Sequence, residues 1–156
     1  MEKAWLAGVI DGEGSIFLSK VVHPAYRSGF FYRPQLLVSN SNRPFLVRVM
    51  ETIGEGTVNR AKKGDGHPKT RWEHQGAAGV LRVMLPQIVP LLIVKRTTAE
   101  KMLEYFEYIH GENSILRKKS VPPPGYYEKF DSLYFVIKKL NEKGKPSLQG
   151  DKDIII

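Results

Sequence analysis

The stretch WLAGVIDGEGS, Trp5–Ser15, puts two acids at an unfavourable place for carboxylates. A helix over Glu2–Asp11 brings Asp11 and Glu13 into its last turn and exit, at the negative end of the macrodipole, which favours Lys, Arg or His. Gly12 and Gly14 bracket Glu13; they suit a chain leaving a helix and give the carboxylate little local support. As acids beside glycine, both also fit solvated turn positions. Other reactive types are sparse. Cysteine is absent, which removes disulfides, thiolate zinc sites and cysteine nucleophiles together. His23, His67, His74 and His110 show no metal-ligand spacing.

The first helix has two faces. At 100° per residue Leu6, Val9 and Ile10 cluster as core, and Ala4, Gly8 and Asp11 lie opposite, with Gly12 close by. The stripe Ala4, Gly8, Gly12 would let another backbone come very near. Ser15–His23 and Phe30–Ser39 are rich in β-branched and aromatic residues and flank a loop holding Pro24, Ser28 and Gly29, a strand–loop–strand signal. Asn42 then caps a helix with Pro44 in its first turn, Gly54 as terminator, and Phe45, Val49 and Ile53 on one side. GTVNRA and TRWEHQ form a second strand pair joined by KKGDGHPK. AAGVLRVMLPQI is a helix stopped near Pro90, and KRTTAEKMLEYFEYIHG is another ending at Gly111. RKKSVPPPG is a basic, stiff connector to a final helix, Tyr126–Asn141, with Phe130, Leu133, Tyr134 and Ile137 inward. The order is α-β-β-α-β-β-α with further helices: one domain over 1–146, then a tail over 147–156.

The 156 residues suit a single domain with a sizeable core, and the formal net charge of +8 points to a polyanionic partner. Nucleic acid and an anionic membrane surface both qualify on charge alone. No apolar run approaches membrane-spanning length, since LPQIVPLLIV is broken by Pro86 and Pro90. The start lacks the layout of a signal peptide, so an intracellular protein is expected, cytoplasmic or nucleoid-associated (or organellar if encoded there), and not secreted.

LAGVIDGEG, Leu6–Gly14, resembles the signature of the LAGLIDADG homing endonucleases, matching at Leu6, Ala7, Gly8, Ile10, Asp11 and Gly14. Val9 and Gly12 are mild departures; Glu13 in place of aspartate is the one that matters. The element order is similar along most of the chain, and PLLIVKRTTAE resembles the segment carrying the family's catalytic lysine. The signature occurs once. The resemblance implies an α+β fold: an αββαββα core with a saddle-shaped four-stranded antiparallel sheet and additional C-terminal helices. It implies a homodimer with the two signature helices side by side, placing Ala4, Gly8, Asp11 and Gly12 at the interface. The implied activity is Mg²⁺-dependent cleavage of double-stranded DNA at a long pseudo-palindromic site, leaving short 3′ overhangs. Mn²⁺ would substitute, and Ca²⁺ would support binding without cleavage. An intron maturase with intron RNA as partner, or a non-catalytic DNA-binding protein, are the alternatives on this scaffold; no small-molecule substrate and no membrane partner are implied.

By the same resemblance Glu13 and the backbone carbonyl of Gly12 hold metal, because two carboxylates and a phosphodiester repel one another unless divalent cations sit among them. Lys95 then assists the attacking water or the developing charge. Asn40 organises active-site water and Arg43 lies in the same pocket. Asn42 could exchange roles with Asn40, and helix capping explains both equally well. Asp11 is read either as support for the helix end or as a solvated turn residue.

On a sheet alternate residues share a face. The DNA-reading face implied by the resemblance carries Phe17, Ser19, Val21 and His23 on the first strand and Phe31, Arg33, Gln35 and Leu37 on the second. Arg33 suits a guanine edge and Gln35 an adenine edge. On the later strands Asn59, Arg71 and Glu73 are candidates; a one-residue slip would substitute Trp72 and His74. Lys62, Lys63, Lys69, Lys143 and Lys145 are expected to touch phosphate.

Overall fold

The computed structural model describes residues 2–61, 72–76, 78–110 and 124–142. Helix α1 (Lys3–Glu13) leads directly into strand β1 (Gly14–Val22), which turns back as β2 (Phe30–Asn40). Helix α2 (Arg43–Ile53), strands β3 (Thr57–Arg60) and β4 (Trp72–Gly76), and helices α3 (Ala78–Ile88), α4 (Arg96–His110) and α5 (Tyr126–Glu142) follow, with a short 3₁₀ turn at Val89–Leu91. The strands form one antiparallel sheet in the order β1-β2-β4-β3. This is the expected α+β arrangement.

Alternation decides which side of the sheet is covered. Ile16 and Leu18 of β1, Leu36 and Val38 of β2 and His74 of β4 are buried, and Val58 of β3 packs against the same core. Residues of the other parity are mostly half-buried or exposed. The helices therefore lie over one face. From α1 come Leu6, Ala7 and Ile10; from α2 Leu46 and Val49; from α3 Leu81, Met84, Leu85 and Ile88. Two corrections follow. The buried set of α1 includes Ala7, with Val9 only partly covered, and α2 centres on Leu46 and Val49, with Phe45 and Ile53 at the margin. In both cases the side chain nearest the middle of the packed stripe is the one most deeply covered.

Helix α5 fastens to β2 through Tyr32, whose hydroxyl donates to Asp131 and whose ring stacks on Tyr134 at 4.9 Å between centroids. From α4, the Tyr105 hydroxyl donates to the Tyr32 carbonyl at 2.9 Å. Phe130, Leu133 and Ile137 are buried as expected, while Tyr134 is half-buried. The structure places His74 in the interior, with Nε2 at 3.2 Å from the Glu55 carbonyl oxygen. Gly56, at φ +114°, lies so close that a Cβ there would fall 2.3 Å from that nitrogen, so only glycine fits. Among the described residues no helix is long and apolar enough to cross a membrane. Gly111, His67, Lys62, Lys63, Lys69, Arg71, Lys143, Lys145 and the tail over 147–156 lie outside the described residues.

Candidate active site and nucleic-acid face

Helix α1 does not stop at Asp11. It continues through Gly12 to Glu13, and the Gly14 N–H closes the last turn on the Ile10 carbonyl with Gly14 already extended (φ −90°, ψ 158°). The expected glycine exit at Gly12 is thus replaced by a helix that converts to a strand within one residue. A Cβ on Gly14 would lie 2.8 Å from the Ile10 Cα, so this abrupt change requires glycine. The last turn contains no basic residue, and its final carbonyls have no partner within the helix.

The missing cation comes from 84 residues away. The Lys95 ammonium donates to the Asp11 backbone carbonyl, one of those orphaned acceptors. The Asp11 carboxylate in turn accepts the Lys95 N–H at 2.9 Å through Oδ1 and the Ile93 N–H at 2.7 Å through Oδ2. Asp11 is therefore not merely solvated: it ties the loop before α4 to the end of α1. Burial pushes its carboxyl upward, but the N–H groups of Ile93, Lys95 and Val94 and the Lys95 charge outweigh that and hold it below the usual aspartate value. Lys95 is held below the ordinary lysine value by burial, against the opposing pull of Asp11 and Glu13. Glu13 is exposed at the same corner, close enough for its charge to act on Lys95. Lys95 is not within helix α4, as the sequence pattern suggests, but immediately before it, with its carbonyl accepting the Ala99 N–H at 2.9 Å.

One asparagine caps the helix and the other closes the turn before it. Asn42 Oδ1 accepts the Phe45 N–H at 3.1 Å and caps α2, and Asn40 Oδ1 accepts the Asn42 N–H at 2.8 Å. Asn40 lies two residues past Val38, which pairs with Gly14, so β2 runs past the end of α1. Its Nδ2 is the end not engaged in this turn. Arg43 is the exposed first residue of α2.

The uncovered face of the sheet carries Phe17, Ser19 and Val21 of β1 and Phe31, Arg33, Gln35 and Leu37 of β2, as alternation predicts. Phe17 stands opposite Gln35, Ser19 opposite Arg33 and Val21 opposite Phe31. Leu37 belongs to the same face and is paired with Ser15. His23 falls one residue beyond β1, with its ring edge-on to both Tyr26 and Phe31. Asn59 pairs with Glu73, and the slipped register is excluded because His74 is buried on the opposite side. The same parity adds Ser15, Thr57 and Gln75, which alternation makes readable in the sequence but which had no motif to single them out.

Gly8 and Gly12 are exposed, and a Cβ at either would meet nothing within 4 Å. Ala4 is exposed beside them, so the small-residue stripe of α1 faces away from this chain's own core. Among the described residues no three His, Asp or Glu gather as a metal cluster. One chain offers a cation the Glu13 carboxylate and the carbonyls of the last turn, oxygen donors of the kind Mg²⁺ accepts but fewer than it needs.

No protein-family model matches the chain, and no curated protein matches it either. Solved structures do. The homing endonuclease I-CvuI, determined with a DNA target in the presence of Mg, is 23% identical, with 99% of this chain and 87% of that chain covered and a TM-score of 0.70. The archaeal intron-encoded homing endonuclease I-Vdi141I, complexed with DNA, is 18% identical over 95% of this chain and 89% of that chain, with a TM-score of 0.72. The homing endonuclease I-TnaI is 16% identical over 92% and 97%, with a TM-score of 0.65. The chain has the fold of these homing endonucleases.

Proposed function

We propose that this protein is a site-specific DNA endonuclease of the LAGLIDADG homing type, acting as a homodimer on a long pseudo-palindromic site. The observation that carries the proposal is the pinning of Lys95 at the end of α1, where its ammonium donates to the Asp11 carbonyl and its charge feels the exposed Glu13 carboxylate, so that an acid and a cation from distant parts of the chain share one corner.

The donor set fits a divalent cation shared between copies. Glu13 and the Gly12 carbonyl would hold Mg²⁺ together with DNA phosphate and the equivalent groups of a second copy, brought close through the bare stripe Ala4, Gly8, Gly12. When bound, the ion supplies Lewis-acid polarisation of the phosphate and a more acidic water. The I-CvuI structures were determined with DNA in the presence of Mg and of Ca, which supports divalent-ion use. Asp11 contributes by position: its carboxylate fixes the 93–95 loop and so fixes Lys95. Lys95 lends positive charge where negative charge grows on the phosphate, an interaction strongest in the transition state. Cleavage across the minor groove to leave short 3′ overhangs belongs to the same proposal, as do the intracellular setting and phosphate contacts from Lys62, Lys63, Lys69, Lys143 and Lys145.

The experiment is selection of cleaved sites from a randomised DNA library with Mg²⁺, beside a Glu13→Gln control. Wild type should return one long, nearly two-fold symmetric consensus, and the variant none, while still binding that consensus in Ca²⁺. A Glu13→Gln protein cutting at close to the wild-type rate would overturn the assignment.

A further inference from the structure

The uncovered face of β1 and β2 holds two polar side chains whose freedom is already restricted, Arg33 and Gln35. The Arg33 guanidinium lies 5.6 Å from the centre of the Phe31 ring, which stacks on Tyr26 at 4.8 Å. Gln35 is restricted differently. In the register of the hairpin Ser19 stands opposite Arg33 and diagonal to Gln35, and its hydroxyl donates to Gln35 Oε1. Both partners are half-buried, so the bond is partly shielded from water.

A glutamine amide has one oxygen acceptor and two N–H donors. Reading adenine in the major groove uses both ends, the oxygen for the N6 amino group and the nitrogen for N7. With Oε1 turned toward β1, Nε2 is the end left to face a base. Guanine presents two acceptors there, N7 and O6. We infer, on the endonuclease reading above, that Ser19 sets the base preference of Gln35, converting it from an adenine reader into a donor that selects guanine. This reverses what the residue type alone suggests. Asn59 of β3 makes the contrast: its Nδ2 donates to Thr57 Oγ1 at 3.1 Å, and its oxygen has no such neighbour in that pairing. Restraint by a neighbour on the same sheet also removes side-chain freedom before DNA arrives, which lowers the cost of ordering on binding.

The test compares wild type, Gln35→Ala, Ser19→Ala and Ser19→Thr, each bound in Ca²⁺ to a randomised DNA library whose retained sequences are counted. The base pair relaxed by Gln35→Ala is the one Gln35 reads. At that pair wild type should favour G·C over A·T by about 5-fold or more, the smallest effect of a good two-bond base contact. Ser19→Ala, which frees Oε1, should shift the preference toward A·T by a similar factor. Ser19→Thr keeps a hydroxyl in place and should keep the G·C preference. The inference is overturned if wild type prefers A·T there, if Ser19→Ala leaves the profile unchanged, or if Gln35→Ala relaxes no position. A wild type that retains no consensus at all overturns the endonuclease reading itself, and this inference with it.

Discussion

Asp11 holds Lys95 from both ends: its carboxylate accepts the lysine N–H at 2.9 Å, and its backbone carbonyl accepts the lysine ammonium. The first expected outcome follows from this tie. Asp11→Ala removes an ionised acceptor from two backbone N–H groups, those of Ile93 and Lys95, and should cost about 1–3 kcal/mol of stability. Denaturant melts measure that cost. Because the loop also carries Lys95, cleavage should fall even at temperatures where the variant is fully folded. A variant with wild-type cleavage would show that Lys95 needs no such support.

Lys95→Ala should slow the single-turnover cleavage rate by roughly 10²-fold or more while changing Ca²⁺-supported DNA affinity much less, as expected for a group whose interaction strengthens in the transition state. Quench-flow rates and a binding isotherm on the same target separate the two effects. Equal losses in both would make Lys95 a phosphate anchor only.

Gly8→Leu separates folding from assembly. A Cβ at Gly8 meets nothing within 4 Å in the isolated chain, and glycine inside a helix costs about 1 kcal/mol relative to alanine. The single chain should therefore be no less stable, yet dimer formation and cleavage should both weaken. Sedimentation velocity with cleavage assays on the same preparation gives the answer; an intact, active dimer would remove the stripe from the interface.

His74 gives the fold a sensitivity to acid. Burial holds its imidazole below the ordinary value of 6.5, against the Glu55 carbonyl, which favours the protonated ring. The unfolded chain takes up this proton at the ordinary value and the folded chain only at lower pH. Stability is thus whole above 6.5 and is lost as pH falls from there to the folded value. The melting temperature should drop between pH 7.5 and 5.5, and drop less in His74→Gln. His110 is also held low by burial and by Arg82, so some slope should remain in the variant.

What could be read in the sequence was whatever depends on neighbours along the chain. Alternation placed Phe17, Ser19, Phe31, Arg33, Gln35 and Leu37 on one face correctly, because a strand's period of two leaves no other choice once its core side is known. Helix limits were less legible at α1, where Gly12 reads as a terminator but the turn closes later because Gly14 can approach Ile10. The tie from Asp11 to residues 93 and 95 was invisible, since it depends on how two distant segments meet. Gln35 illustrates the same limit: its residue type suggested adenine, and only the register of the hairpin reveals Ser19 at its oxygen.

Tyr32 is gripped from below by Asp131, Tyr134 and Tyr105, while Phe31 and Arg33 on either side of it point the other way. On the proposed function, scaffold and sequence preference would thus be written on interleaved positions of one strand. Mutation at the outward set should leave the helical grip intact, so on that function a lineage could drift from one target to another without passing through unfolded intermediates. A library randomised at Phe17, Ser19, Phe31, Arg33, Gln35 and Leu37 should accordingly return mostly folded members, and one that also randomises Tyr32 should lose many of them.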